Sequence, residues 1–209
     1  MAVALLVPAA LLAIADWLTV ARVGGSHPVR WLTKLAPVAL CAVVAATEGS
    51  GVLRGWVVAG LFLSLAGDAA LLLPDRWFVA GLGAFLAAHV VYALGMLRLD
   101  LSASGLVAGV VLVAAGMATI GRRILGGAQR AERALGAPVA AYLVVISAMV
   151  VIATGSAEPW LIVAALLFYA SDAMLGWNRF VAPAPVLPVA VMVTYHLAQA
   201  GFAVQTLAG

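Results

Sequence analysis

The sequence predicts an all-α protein that crosses a membrane eight times, organised as one transmembrane domain over residues 1–209. Its mean hydropathy is +1.18, and only 9% of its residues are charged, whereas soluble domains carry about a quarter charged residues. Its apolar stretches each have close to the roughly 20 residues that a helix needs to cross a bilayer. The alternation typical of membrane β-barrel strands is absent, and only helices satisfy their own backbone groups within such long apolar runs.

Eight apolar stretches follow one another with short connections, which leaves no soluble domain. They cover residues 1–21, 31–48, 52–73, 77–97, 101–120, 137–154, 157–177 and 185–206. Between the fifth and sixth stretches, the segment GGAQRAERALGAP at 126–138 is predicted to be a solvated loop. The first stretch is not a convincing cleaved signal peptide, because no basic residue precedes it and Asp16 interrupts it.

Basic residues are concentrated at one end of the predicted bundle. The connections after helices 1, 3, 5 and 7, with their flanks, hold nine of the eleven Lys and Arg residues. These nine are Arg22, Arg30, Lys34, Arg76, Arg122, Arg123, Arg130, Arg133 and Arg179. Because basic loops stay in the cytoplasm, the asymmetry predicts a multi-pass cell-membrane protein with both termini outside the cytoplasm. The polar side chains within the helices then lie toward the cytoplasmic side.

Three further features of the composition concern disulfides and metals, nucleic acid, and the membrane boundary. The single cysteine, Cys41, excludes an intrachain disulfide and a cysteine-based metal site. The net charge of +3 does not indicate nucleic-acid binding, because the basic residues are spread over loops rather than forming a stripe with aromatic residues. All six tryptophans lie at predicted helix ends and are interpreted as interfacial anchors; they are Trp17, Trp31, Trp56, Trp77, Trp160 and Trp177.

The first four helices carry polar side chains at membrane depth. Asp16 lies near the end of helix 1, and Lys34 lies one turn into helix 2. Asp68, in SLAGDAALLLP, lies roughly 8 Å inside the cytoplasmic boundary of helix 3. His89 and Tyr92 lie near the middle of helix 4, and their spacing of three residues places them on one face.

The last two helices carry a similar set. Asp172, in LLFYASDAMLGW, lies in helix 7 at the depth of Asp68. Tyr195, His196 and Gln199 lie near mid-membrane in helix 8. Tyr195 and Gln199 share a face, whereas His196 is rotated by about 100° from Tyr195. At most one of Tyr195 and His196 therefore faces a central cavity.

A short internal match relates the two halves of the chain. GDAALLL in helix 3 matches SDAMLGW in helix 7, and AHVVYALG in helix 4 corresponds to YHLAQAGF in helix 8. The offset of four helices is even, so the match suggests two parallel four-helix repeats, about 1–100 and 101–209, related by an axis along the membrane normal. Asp68 and Asp172 would then face one shared cavity.

The two intramembrane acids are predicted to be functional, because a charge at such a depth costs at least about 2.5–3.5 kcal/mol on insertion scales. The alternative is that each acid is protonated and joins helices through a hydrogen bond. Lys34 also has two interpretations, since it either holds a substrate or pairs with Asp16 at matching depth. A zinc site is not favoured, because two Asp and two His match no compact ligand motif such as HExxH.

Five segments together resemble the YhhN family of membrane proteins, which includes the lysoplasmalogenases. They span nearly the whole chain and are TKLAP in helix 2, SLAGDAALLL in helix 3, FVAGLGAFLAAHVVYALG in helix 4, YASDAML in helix 7 and TYHLAQ in helix 8. The resemblance implies hydrolysis of the vinyl ether bond of lysoplasmalogens, which are lysophospholipids of the membrane. The products would be a fatty aldehyde and glycerophosphoethanolamine or glycerophosphocholine, and no cofactor or metal is implied.

That chemistry suits the predicted residues. A vinyl ether hydrolyses when a general acid protonates its β-carbon and water captures the resulting oxocarbenium ion, so one carboxyl must be protonated and the other ionised, as in a glycosidase. Asp68 and Asp172 are the candidate catalytic pair, with either one as the acid. Supporting candidates, which would orient water or the departing oxygen or hold the lipid phosphate, are Lys34, His89, Tyr92, Tyr195, His196 and Gln199, with Arg76 or Arg179 at the rim.

Two other functions remain open at this point. An aspartyl intramembrane protease also uses Gly-Asp and a second acid on neighbouring helices, but its proline-alanine-leucine motif is missing here, since PAP at 183–185 is not an equivalent. A proton-coupled transporter relays protons through buried acids and needs a polar path through both halves of the membrane. The sequence does not indicate an oligomeric state.

Overall fold

The computed structural model describes residues 2–24 and 27–208, so Met1 and Gly209, the ends of the predicted domain, lie outside the described residues. Eight of its helices are long and apolar enough to cross a membrane. They are α1 (Ala2–Val23), α2 (Arg30–Glu48), α3 (Arg54–Leu72), α4 (Asp75–Met96), α5 (Ala103–Ala131), α6 (Arg133–Gly155), α7 (Pro159–Phe180) and α8 (Leu187–Gln205). The described residues contain no β-strand, and the predicted all-α, eight-helix membrane fold is confirmed.

Local sequence explains where several helices begin. α7 begins at Pro159, after Glu158 in an extended conformation, and α8 has Pro188 in its first turn. Proline is tolerated there because first-turn N–H groups have no partner within the helix. α4 begins with a short 3-10 turn, Asp75–Trp77, after the extended residue Pro74.

α5 differs from the prediction, because the segment 126–138 is not a solvated loop. The helix continues through a π-helical turn at Met117–Gly121 and ends at Ala131. Ile124 and Ala128 are buried where this extension packs against α7. The extension is amphipathic: its arginines and glycines lower the hydropathy of the segment, although its apolar side chains fall on one face of the helix.

Helix packing places α3, α4, α7 and α8 around the centre of the bundle. The contacts between α3 and α4 and between α7 and α8 are the most extensive. Contacts of α1 with α2, α2 with α3 and α2 with α8 have counterparts four helices later in α5 with α6, α6 with α7 and α6 with α4. Two parallel four-helix repeats, as proposed from the sequence, would produce this pattern.

One pair of helices departs from that pattern. α1 packs against α8, and its counterpart would be α5 against α4. Over residues 2–24 and 27–208, α4 and α5 have at most a marginal backbone contact. α5 is also the least buried of the eight helices. The backbones of α4 and α5 therefore lie apart, with Leu82 of α4 reaching the apolar cluster that contains Ile124 of α5, and we call this separation the gap between α4 and α5.

The outer surface of the bundle is apolar. Large hydrophobic side chains are exposed around its whole circumference, among them Leu11, Phe62, Val111 and Val144. Soluble monomers rarely expose contiguous apolar surface of this extent. The protein is a multi-pass membrane protein whose exposed side chains contact lipid.

Candidate active site

α3 and α7 bring Asp68 and Asp172 to one cavity of about 330 Å³. The cavity lies toward the end of the bundle that carries the α1–α2, α3–α4, α5–α6 and α7–α8 connections, which we call the basic end. We call this cavity the charged cavity, because its lining includes Arg30, Lys34, Asp68, Asp172, Arg179 and Tyr195. The two halves of the chain thus each contribute one carboxyl to a shared site.

Asp68 is held by two strong partners. Lys34 Nζ lies 2.9 Å from its Oδ1, and the Tyr195 hydroxyl donates to its Oδ2 at 2.5 Å. Its side chain is 1% exposed. A carboxyl that accepts from a lysine ammonium and a phenol on separate oxygens has the partners that an ionised carboxylate requires.

Asp172 has a different environment. The Tyr142 hydroxyl donates to its Oδ2 at 2.5 Å, and His89 Nε2 lies 3.7 Å from the same oxygen. In the described part of the chain, no lysine or arginine forms an ion pair with it. The two carboxyls of the site therefore differ, because only Asp68 has a permanent cation beside it.

His89 lies behind Asp172 rather than in the charged cavity. Its ring is fully buried, with the centroids of Phe168 and Tyr142 at 4.5 Å and 5.3 Å in edge-on contacts. Within the described residues, neither ring nitrogen makes a hydrogen bond of good geometry, and the Phe85 backbone, one helical turn earlier, is a weak partner. His89 therefore lies beside Asp172 without a strong hydrogen bond of its own.

Tyr92 and Gln199 lie away from the charged cavity. The Tyr92 hydroxyl donates to Gln199 Oε1 at 2.8 Å, and the Tyr92 ring stacks on Phe202 with centroids 4.1 Å apart. Tyr92 lies about one turn further along α4 than His89, away from the basic end. This differs from the expectation that both side chains orient water at the carboxyls.

Tyr195 and His196 point in different directions, as their spacing required. Tyr195 faces the charged cavity, whereas His196 Nδ1 accepts from Trp17 Nε1 at 3.0 Å. His196 Nε2 lies 3.3 Å from the Lys34 carbonyl oxygen. Because Nδ1 accepts, a neutral ring carries its hydrogen on Nε2 and donates to Lys34. Trp17, predicted to be an interfacial anchor, also connects α1 through His196 to the backbone carbonyl of Lys34.

Asp16 and Lys34 do not pair with each other, which corrects that interpretation of Lys34. Arg30 Nε lies 2.9 Å from Asp16 Oδ1, and the Thr33 hydroxyl donates to the same oxygen at 3.1 Å. Arg30 precedes Lys34 by one helical turn and has the longer reach to α1. Lys34 is therefore left to pair with Asp68 on α3.

The decisive comparison is with known protein families. The sequence profile of the YhhN family matches residues 29–206, which is most of the chain. This chain belongs to the YhhN family. The matched region contains both carboxyls and every partner described above except Asp16 and Trp17.

Several curated relatives of this YhhN-family protein are named lysoplasmalogenase. This chain is 36% identical over 173 residues to a Mycobacterium bovis protein of that name, and the alignment covers 79% of this chain and 66% of the relative. It is 33% identical over 150 residues to human lysoplasmalogenase TMEM86B, covering 66% of this chain and 58% of the relative. The chain thus spans about two thirds or less of the length of these relatives. No solved structure gives a significant match.

One feature of this YhhN-family site, Tyr142, was missed in the sequence, whereas Arg179 was one of the two predicted rim residues. Tyr142 is a lone tyrosine in the otherwise apolar α6, and its only signal is that α6 corresponds to α2 in the proposed repeat. Arg179 forms a two-pronged ion pair with Asp75 at 3.0–3.1 Å and lies over the Phe78 ring at 3.8 Å. Arg76, the alternative rim residue, does not line the charged cavity.

A metal site has no obvious ligands here. No group of three or more His, Cys, Asp or Glu side chains is placed to hold an ion in residues 2–24 and 27–208. The chemistry that the arrangement offers is that of two carboxyls with unequal partners, beside phenol and imidazole groups.

Proposed function

We propose that this protein hydrolyses the vinyl ether bond of lysoplasmalogens to a fatty aldehyde and glycerophosphoethanolamine or glycerophosphocholine. The observation that carries the proposal is the unequal pair of carboxyls, Asp68 beside Lys34 and Asp172 without a permanent cation, at one cavity. The name of the mycobacterial and mammalian relatives supports the same reaction. The substrate class is a lysophospholipid taken from the membrane.

The partners of each carboxyl assign the two roles. Asp172 is the general acid, because it has no lysine or arginine to hold it ionised. Asp68 is the carboxylate that stabilises the cation and activates water, because Lys34 forms an ion pair with it. This is the division of labour between two carboxyls that oxocarbenium chemistry requires.

The reaction then proceeds in three balanced steps. Asp172 gives its proton to the β-carbon of the vinyl ether, and an oxocarbenium ion forms at the α-carbon. Water adds to the α-carbon and gives one proton to Asp68, which leaves a hemiacetal. The hemiacetal hydroxyl returns a proton to Asp172, Asp68 protonates the ether oxygen, and the carbon–oxygen bond breaks to release aldehyde and alcohol. Both carboxyls end as they began.

The lysolipid phosphate binds at the rim of the charged cavity. Lys34 uses only one of its three N–H donors on Asp68. Arg179 is about one-third exposed, and its partner Asp75 is 83% exposed; such surface pairs contribute little, so phosphate can replace Asp75. Three cations line the cavity, Arg30, Lys34 and Arg179, which suits a headgroup that carries a negative phosphate.

A carrier that moves protons across the membrane is less well supported. Beyond the two carboxyls, toward the opposite end of the bundle, the core is filled by the buried aromatic rings of Phe85, Phe168 and Phe202. Edge-on contacts join Phe85 to Phe168 at 6.1 Å and Phe168 to Tyr195 at 5.5 Å. Tyr92 and Gln199 also lie beyond the carboxyls, but the aromatic packing around them favours a one-sided hydrolytic site over a carrier.

A labelling experiment tests the proposal directly. Purified protein in detergent is incubated in D₂O with vinyl ether, alkyl ether and acyl lysolipids of the same headgroup, and aldehyde is reduced at once to its alcohol for mass spectrometry. We expect product only from the vinyl ether, with one deuterium at carbon 2, because the proton from Asp172 goes to carbon. Absence of aldehyde, or aldehyde without deuterium at carbon 2, would overturn the proposal.

A further inference from the structure

A second cavity adjoins the charged one and has the opposite character. It measures about 60 Å³ and lies between α4, α5, α6 and α7. We call it the apolar cavity, because its lining is mostly aliphatic and aromatic, including Leu82, Ile120, Ile124, Val139, Leu143 and Ile146. Its only charged lining residues, within the described chain, are Asp172 and Arg179.

The two cavities meet at the proposed general acid. Asp172 and Arg179 line both cavities, whereas Asp68 and Lys34 line only the charged one. A molecule with a charged end and an apolar end would therefore place the junction between its two ends beside Asp172. In a lysoplasmalogen, that junction is the vinyl ether bond.

The apolar cavity lies at the gap between α4 and α5. Ile120 and Gly121, in the π-helical turn of α5, form part of its wall. Ile120 is 39% exposed at the outer surface of the bundle. π-Helical turns are frequent at functional sites. The gap is the place where the helix packing departs from the pattern of the other half, in which α1 closes against α8.

We propose that the hydrocarbon chain of the substrate enters sideways from the bilayer through the gap between α4 and α5, and that its first carbons occupy the apolar cavity. This inference rests on the proposed function for the identity of the substrate. The headgroup occupies the charged cavity at the same time. The structure thus assigns each end of a single-chain lipid to its own cavity, with the scissile bond at Asp172.

The size of the apolar cavity limits how much of the chain is enclosed. A cavity needs about 10–15 Å³ to hold one water molecule. The apolar cavity, at about 60 Å³, therefore has room for roughly four to six groups the size of a water molecule or a methylene. Only the first few carbons fit, and the rest of the chain lies in lipid. Chain length beyond these carbons should therefore matter little, whereas a methyl branch near the vinyl ether should be rejected.

Two neighbouring residues on α6 provide a matched pair of variants. Leu143 lines the apolar cavity, whereas Val144 is 64% exposed on the outer surface. Leu143→Trp fills the cavity, and Val144→Trp adds the same bulk facing lipid. Room for one methylene is worth about 10–200-fold in kcat/KM. We expect a loss in that range for Leu143→Trp and wild-type values for Val144→Trp, with equal thermal transitions in detergent. Equal kcat/KM for both variants would overturn the inference.

A photolabelling experiment does not depend on activity. The wild-type protein is irradiated with an acyl lysophosphatidylcholine that carries a diazirine near the glycerol end of its chain, and labelled peptides are mapped. We expect labels in α5 at 117–124 and in α6 at 139–146. Labels confined to α1, α2 and α8, which do not line the apolar cavity, would overturn the inference.

The two experiments separate this inference from the proposed function. Release of deuterated aldehyde together with labels only at the separate apolar cavity between α1, α2 and α8 would leave the hydrolase and remove the chain site. Labels in α5 and α6 without any aldehyde would leave the chain site and remove the vinyl ether chemistry.

Discussion

At the scale of single residues, the site depends on what each carboxyl touches. Lys34 and Tyr195 surround Asp68, and Tyr142 with His89 surround Asp172. Depth alone would treat the two acids alike, since both lie in apolar helices at the same predicted depth. The difference in partners, one cation against none, is what gives them unequal tasks.

Removal of either carboxyl should abolish cleavage. Asp68→Asn and Asp172→Asn keep the side-chain size but neither donate an acid proton nor carry the charge that steadies the cation. General acid–base catalysis is worth about 10²–10⁴-fold, so we expect kcat to fall at least that far with the protein still monodisperse. Asp100→Asn, an exposed change at the opposite end of the bundle, serves as the control. Near wild-type cleavage by either site variant would show that the acids are structural.

The wild-type rate should also follow a bell-shaped dependence on pH. The mechanism needs one protonated and one ionised carboxyl, so activity falls when both are protonated and again when both are ionised. The measurement is kcat/KM for the vinyl ether lysolipid across the pH range in which the protein stays folded. A rate that rises to a plateau without falling again would contradict the requirement for an acid.

Lys34 should affect stability as well as turnover. Lys34→Met leaves the Asp68 carboxylate buried without its cation, and breaking such a pair costs about 3–5 kcal/mol. In the double variant with Asp68→Asn, we expect the thermal transition to recover while activity stays absent, because the unpaired charge is gone but the catalytic carboxylate is gone too. If the stability losses of Lys34→Met and Asp68→Asn simply add in the double variant, the two side chains do not form an ion pair.

Tyr142 and Tyr92 allow a comparison between a hydroxyl that contacts a proposed catalytic carboxyl and a hydroxyl that serves only the packing of the core. Both are buried and donate to a side-chain oxygen, Tyr142 to Asp172 and Tyr92 to Gln199. Replacement by Phe should lower stability by about 0.5–3 kcal/mol in each case. Only Tyr142→Phe should reduce kcat, because only that hydroxyl touches a reacting group. Equal loss of activity in the two variants would remove Tyr142 from the site.

At the scale of helices, two glycines in the arginine-rich end of α5 show how closely this segment packs against α7. A Cβ added at Gly127 would lie 2.1 Å from the Phe180 carbonyl oxygen of α7, whereas one added at Gly126 would meet only the end of the Arg130 side chain at 3.3 Å. Glycine is needed at Gly127 because two helices approach closely there.

Alanine substitutions at these two glycines should therefore have opposite effects. Alanine is favoured over glycine in a helix by about 1 kcal/mol, so Gly126→Ala should leave the thermal transition unchanged or raise it. Gly127→Ala forces the helices apart and should lower stability by about 1–3 kcal/mol. Equal effects of the two substitutions would indicate that the segment is a solvated loop after all.

At the scale of the whole molecule, the basic end should face the cytoplasm. Nine of eleven lysines and arginines lie at that end, and basic segments are retained on the cytoplasmic side. A reporter that is active only in the cytoplasm should therefore be silent when fused to the C-terminus and active when inserted in the α5–α6 connection. A strong signal from the C-terminal fusion would reverse the orientation and place the charged cavity on the other side.

Sequence alone predicts the fold and both carboxyls, because long apolar runs and isolated acids within them have direct physical costs. The partners of those acids depend on how each helix is rotated, and a run of apolar residues does not fix its rotation. The sequence therefore leaves two interpretations of Lys34, a substrate contact or a pair with Asp16, and Tyr142 carries no signal beyond the place of α6 in the proposed repeat. The predicted end of α5 is too early because the arginines and glycines of its extension lower the mean hydropathy of that segment. Mean hydropathy depends on composition and does not indicate which face of a helix is buried.

The position of each partner along the chain has a consequence for biosynthesis. Lys34 lies on the helix made immediately before the one that carries Asp68, and Tyr142 on the helix made immediately before the one that carries Asp172. Each acid thus leaves the ribosome as the second half of a hairpin whose first half already holds its partner, which lowers the cost of placing it in the membrane. Tyr195 arrives last, on α8. A nascent chain that stops before α8 can insert both acids but has no finished site, so truncated translation products are expected to be inert.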